Sequence, residues 1–273
     1  MIRDIVVNVS GAEVTTNFAL SVAGLMRAHI AGVVFKYQPV LLPSDYGAMA
    51  VGVIEGLCEQ ADKRAGTIKA QFDAAALKAR VSCESWIVDA EFSLAGPTFG
   101  EIARQFDLAV VAQSHSEGDL LDQLIIEGAL FGSGRPVLVV PYIQKGGIGL
   151  ERVMICWDGS PNAARAVADA MPFLTMAKKV YAVTIVGQKG KDDEFPVGSL
   201  LEHLARHKVD VELRRMPVGH INVADNLLST AADLSADFLI MGGYGHSRFR
   251  EFVLGGATRG ILASMTVPTL LSH

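Results

Sequence analysis

The sequence predicts an α/β protein made of two tandem doubly wound parallel five-stranded sheets with helices on both faces. Three observations lead there. Short, continuous apolar runs such as Phe238-Leu-Ile-Met241 recur between stretches of helical periodicity, and runs of that kind suit strands buried on both faces. Strand and helix alternate along the chain, which implies right-handed crossovers and parallel pairing. The pattern then starts again: Ile5-Val-Val matches Val153-Met-Ile, Gly11 matches Gly159, Asp107-Leu-Ala-Val-Val matches Asp237-Phe-Leu-Ile-Met, and Pro136-Val-Leu matches Pro268-Thr-Leu. A repeat of this length reads as a duplicated domain, with units at 1–144 and 150–273.

In order, Ile5–Val9 is a first strand, and Ser10-Gly11 turns into an amphipathic helix over Asn17–Ala28. Gly32–Tyr37 is a second strand, closed by Pro39 and Pro43. Asp45–Arg80 has helical composition, which Gly66 softens without ending it. Strands follow at Ser85–Val88, Leu108–Ala112 and Pro136–Pro141, with helices at Pro97–Phe106 and Asp122–Leu130. Lys145-Gly-Gly-Ile-Gly149 has linker chemistry. The second half reads as strands at Arg152–Trp157, Val180–Val186, Val209–Met216, Phe238–Met241 and Pro268–Ser272. Its helices fall at Asn162–Thr175, Val197–Lys208, Val223–Ser235 and from Ala257 onward.

With 273 residues, half of them hydrophobic and only 19% charged, the chain has ample material for a core. A formal net charge of −5 speaks against nucleic acid or an anionic membrane as partner. Cys58, Cys83 and Cys156 show no paired spacing, so reduced thiols are expected. No 18-residue apolar run occurs, and Met1-Ile-Arg-Asp leads directly into a strand. A cytoplasmic protein without signal peptide or membrane span is expected.

Chemistry concentrates after Met241. Gly242-Gly-Tyr-Gly245 stands where the chain leaves the sheet, and Gly255-Gly256 stands ahead of the last helix. Glycine removes the Cβ that blocks a ligand from backbone amides, and amides at a helix start attract phosphate. The alternative is that these glycines serve tight turns and close helix–sheet packing. Asp158 follows the first strand of the second half, where a carboxylate can accept from a ribose hydroxyl or an adenine amino group. On position alone, capping the helix that begins near Pro161 is an equal reading. His246 and Arg248 add positive charge beside Gly245.

The spacing Gly-x-x-Gly, nine residues, then Gly and a small residue resembles the nucleotide loop of the universal stress protein family. Gly242, Gly245 and Gly255 fall on its three glycines. The family usually has Ser or Thr next, where this chain has Gly256; Thr258 is the nearby hydroxyl that can stand in. The resemblance spans nearly the whole chain, is weakest over Asp45–Arg80, and is specific mainly in the second half. It implies a Rossmann-like fold and ATP or another adenine nucleotide as ligand, with Mg as a candidate companion. It gives Asp158, within Asp158-Gly159-Ser160, the adenosine contact, and sets Ile185 against adenine. It further implies a stress-response regulatory protein that acts through ligand-linked changes of conformation and interaction. Domains pair through edge strands in the family, so Pro136–Pro141 and Pro268–Ser272 are the expected contact, with a homodimer beyond it.

The first half lacks the matching parts. Ser10 replaces Asp158, and Ala112-Gln-Ser-His115 replaces Gly242-Gly-Tyr-Gly245, so one site per chain is expected. There is no P-loop and no Gly-x-Ser-x-Gly elbow. His203 and His207 have metal-ligand spacing but read better as an exposed polar face. No catalytic residue is assigned. A module of the same fold without a ligand, or a slow ATPase with His246 as the sole candidate base, are the alternatives.

Overall fold

The computed structural model describes residues 1–37, 51–114, 120–186, 197–217, 222–243 and 256–273. The first half runs β1 (Asp4–Asn8), α1 (Glu13–Met26), β2 (His29–Tyr37), α2 (Val51–Ala79), β3 (Cys83–Ala90), α3 (Ala95–Ala103), β4 (Leu108–Ala112), α4 (Leu120–Gly132) and β5 (Val137–Val140). The second runs β6 (Arg152–Cys156), α5 (Pro161–Leu174), β7 (Lys179–Val186), α6 (Val197–Arg206), β8 (Val211–Pro217), α7 (Val223–Asp233), β9 (Phe238–Gly242), α8 (Gly256–Ser264) and β10 (Thr269–Ser272). Element types agree with the sequence pattern, and boundaries move by a few residues. The first helix begins earlier than expected and stops at Arg27, whose φ of 52° takes the left-handed form that ends helices. Of the long helical stretch, Asp45 to Ala50 lie outside the described residues. Gly66 leaves α2 unbroken.

The strands form one ten-stranded sheet in the order β3-β2-β1-β4-β5-β10-β9-β6-β7-β8. Each set of five is parallel, and the two sets meet where β5 and β10 pair antiparallel, Leu138 opposite Leu270. The two edges singled out in the sequence are therefore the seam. Successive strand residues face opposite sides, so Ile5 and Val7 join one core layer while Val6 joins the other. Phe18 of α1, Phe72 of α2, Phe173 of α5 and Leu204 of α6 cover one face; Phe99 of α3, Ile125 of α4, Leu227 of α7 and Ile261 of α8 cover the other. Both layers run across the seam. The linker is docked rather than loose: Ile148 N donates to Ser21 Oγ on α1 at 2.8 Å.

The two halves repeat one another at atomic detail. Asp107 accepts from the amides of Arg3 (2.7 Å) and Asp4 (3.2 Å), and Asp237 accepts from those of Glu151 (2.8 Å) and Arg152 (3.0 Å). Each carboxylate ties the loop before the fourth strand of its half to the start of the first. Removing it takes away two hydrogen bonds to a charged acceptor at an exposed site, so Asp237→Ala is expected to cost about 1–2 kcal/mol of unfolding free energy in urea. Asp237→Asn, which keeps one acceptor oxygen, is expected to recover part of that loss.

Candidate ligand site

An open α/β sheet binds ligands outside the carboxyl ends of its strands, at the point where strand order reverses. In the second half that point lies between β6 and β9, since β6 leads on to β7 while β9 pairs on its other side. Trp157 N donates to Val183 O at 2.8 Å, extending the ladder by one residue and leaving Asp158 exposed at the lip. Gly159 has a φ of +73°, a conformation glycine takes at little cost. Asp158 Oδ1 accepts from Ser160 N at 2.9 Å. The helix cap is Ser160, whose Oγ accepts from Ala163 N at 3.1 Å ahead of Pro161. Capping by Asp158, the alternative open at the sequence level, is thus corrected: Asp158 braces the turn, and Ser160 caps.

The glycines divide by role. A Cβ on Gly242 would lie 2.6 Å from Ala163 N and 2.7 Å from Asn162 C, so this glycine is required by the close approach of α5. Gly243 N donates to Ser272 O at 2.8 Å, and Asn162 Nδ2 donates to Gly243 O at 2.6 Å. His273 Nδ1 lies 3.0 Å from both that oxygen and Asn162 Nδ2, with its ring edge-on to Phe131 of α4. Asn162 and His273 have no signal in the sequence beyond their polarity, because their partner is a backbone carbonyl. Gly256 opens α8 and is exposed, and among the described residues a Cβ added to it would meet nothing within 4 Å. Packing among the described residues therefore leaves room for a serine there. Thr258, the hydroxyl expected to stand in, is 4% exposed in the first turn of α8. Ile185 is half-buried on β7, opposite Met216, against the core layer beneath α3, α4, α7 and α8. Gly245, His246, Arg248 and Gly255 lie outside the described residues.

The same place in the first half is lined by different residues. Val9 N donates to Val33 O at 2.8 Å as Trp157 does to Val183, which sets Ser10 in the position of Asp158. Helix α2 lies over this region. Ile68 Cδ1 is 3.5 Å from the Cβ position of Gly11, and the Phe72 ring presses on Gly32. Lys36 Nζ is tied to Asp62 of α2 at 2.8 Å and to Asp89 of β3 at 2.7 Å. Gln113 N donates to Val140 O at 2.8 Å, the bond Gly243 makes to Ser272. Its buried side-chain amide donates to Leu262 O (2.9 Å) and Ala263 O (3.3 Å) at the end of α8. A glycine of one half thus corresponds to a side chain of the other that caps the neighbouring helix.

Cys156, just before the Asp158 turn, is buried, and burial followed by the Asp158 charge pushes its thiol up to about 12. A thiol held protonated is unreactive. Alkylation at neutral pH is expected to modify exposed Cys58 and spare Cys156, as mapped by peptide mass spectrometry. The rings of His203 and His207 stand 4.8 Å apart on an exposed face. Among the described residues, no group of three or more His, Cys, Asp or Glu is placed to hold a metal.

Residues 149–273 match the family model described as the universal stress protein family. The chain is 27% identical over 140 residues to universal stress protein Slr1230 of Synechocystis sp. (strain ATCC 27184 / PCC 6803 / Kazusa), a match covering 50% of this chain and 46% of that protein. The chain thus spans about half the length of this curated relative. Its fold is similar to that of a universal stress protein from Archaeoglobus fulgidus DSM 4304, with a TM-score of 0.69 at 14% identity over 98% of this chain and 95% of that one. It is also similar to a functionally unknown protein, PA1789, from Pseudomonas aeruginosa PAO1, with a TM-score of 0.58 at 14% identity over 99% of this chain and 92% of that one. At such identity these structures speak to fold alone.

Proposed function

We propose that this chain, whose residues 149–273 match the model of the universal stress protein family, binds ATP or a related adenine nucleotide in its second half. Residues 150–273 form the ligand-binding unit and 1–144 a degenerate copy. The observation that carries this reading is the contrast at the two strand-order reversals. Beside β6 and β9 stand an exposed Asp158 and the start of α8, whereas beside β1 and β4 the same place holds Ser10, with Ile68 of α2 against the Gly11 turn and Gln113 after β4.

In this reading Asp158 accepts from the ribose or the adenine amino group, Gly159 lets the turn come close, and Ile185 flanks the base. Gly245, Gly255 and Gly256 present amides to phosphate, with His246 and Arg248 supplying charge, while Gly242 seats α5. Mg accompanies the phosphates. Binding shifts the population of a state that meets partners, because a ligand biases an equilibrium by its differential affinity for the two states. The setting is a cytoplasmic stress response.

A second reading is an interaction module without a ligand. Gly256 in place of a hydroxyl residue and the burial of Thr258 favour it. The two separate on the protein as purified. A raised absorbance at 260 nm, with an adenine nucleotide released on denaturation and identified by mass spectrometry, is the result the first reading expects. Protein free of nucleotide whose melting temperature ignores millimolar ATP with Mg²⁺ supports the second.

A further inference from the structure

The sheet ends on two strands of unlike character. β8, Val-Glu-Leu-Arg-Arg-Met-Pro, carries Glu212, Arg214 and Arg215 and closes on Pro217. Glu212 is bound by Lys179 at 2.8 Å and by Arg214 as well. Charges and proline are the usual means of keeping an edge from pairing. β3, Cys-Glu-Ser-Trp-Ile-Val-Asp-Ala, has none of this at its centre. Ser85-Trp-Ile-Val88 is uncharged, with Trp86 37% and Ile87 41% exposed. Its two acids are already engaged inward on β2, Glu84 with His29 at 3.4 Å and Asp89 with Lys36 at 2.7 Å.

We propose that β3 is a docking edge for a second copy of this chain, pairing antiparallel with the partner copy's β3 about a two-fold axis at Trp86. Backbone geometry sets the register. Ile30 N donates to Ser82 O at 3.0 Å, so the residues in step with Ser82 (84, 86 and 88) turn their backbone groups toward β2. Residues 83, 85, 87 and 89 turn theirs outward, and none is proline. A two-fold axis at Trp86 sets residue 85 opposite 87 and residue 83 opposite 89 of the other copy, all of them outward-bonding positions. It also makes Trp86 a pair with itself at a non-hydrogen-bonded site, where side chains come closest. Glu84 falls opposite Val88 and Asp89 opposite Cys83, so no two acids face each other. The chain already joins sheets this way once, at β5 and β10. A two-fold pairing is closed, whereas β3 on β8 would be open-ended and give fibres.

One eight-residue strand pair with its flanking side chains lies at the small end of stable interfaces, so micromolar dissociation is expected. The test is sedimentation equilibrium of the full chain at concentrations up to about 100 μM. The wild type is expected to be a dimer there and Ile87→Lys a monomer with unchanged circular dichroism, while Arg214→Ala on the far edge remains a dimer. Trp86→Cys, oxidised, is expected to give a covalent dimer closed at position 86, a readout that does not need Ile87→Lys to fold. A monomeric wild type, a dimer untouched by Ile87→Lys, one lost in Arg214→Ala, or open-ended assemblies overturn the proposal. None of these outcomes depends on nucleotide.

Discussion

Gly128→Ala is expected to lower the stability of this protein by about 3 kcal/mol and its melting temperature by roughly 6–12 °C. Helices α3 and α4 cross through two glycine pairs spaced by four, Gly96 with Gly100 and Gly128 with Gly132. A Cβ on Gly128 would run into the Gly96 carbonyl, and one on Gly96 into the Leu124 carbonyl. The obstacle is backbone on a buried helix face, which cannot rotate away, so the helices must separate and uncover Phe99, Ile125 and Ala129. Gly66 is the internal control. It lies within α2 with nothing among the described residues within 4 Å of its Cβ position, so Gly66→Ala is expected to stabilise by about 0.5–1 kcal/mol. Thermal melts in which Gly128→Ala stays within about 1 kcal/mol of the wild type would contradict this account of the crossing. In the second half a Cβ on Gly260 of α8 would likewise come too close, 2.6 Å from the Ala224 Cβ of α7.

That crossing shows what a sequence read alone conceals. The apolar strand runs and the restart after residue 149 are legible because they repeat with a fixed period, and the carboxylates Asp107 and Asp237 mark the repeat at matching places. The roles of individual glycines are not legible. Gly242 looks like part of a ligand loop, yet its missing side chain is explained by α5, and Gly128 carries no signal although its neighbours leave no room at all. Spacing records where a side chain is absent but not which neighbour requires the absence. Gln113 is the reverse case. In the sequence it is only a lost glycine, and the structure gives it a buried position linking two halves of the sheet, which depends on contacts 149 and 150 residues away. Thr258 sits at the right spacing for a hydroxyl donor, but its place in the first turn of α8 is a buried one.

The second large effect concerns binding. Asp158→Ala is expected to weaken ATP binding by at least about tenfold, the loss of one charge-assisted hydrogen bond. Its effect on the unliganded fold is expected to be small, about 1 kcal/mol at most, because Ser160 and Pro161 still start α5. Asp158→Asn separates the two roles of the side chain. It retains the oxygen that braces Ser160 N but not the charge, so it is expected to restore stability fully and affinity only in part. Equal affinity in the alanine variant would move the ligand contact away from Asp158.

A single crevice per chain is expected to bind, in the half that carries Asp158. Calorimetric titration of the full chain with ATP and Mg²⁺ measures this directly. One equivalent bound, with affinity at least about tenfold weaker in Asp158→Ala, is the predicted result; two equivalents, no binding to the wild type, or an affinity unaffected by that substitution would contradict it.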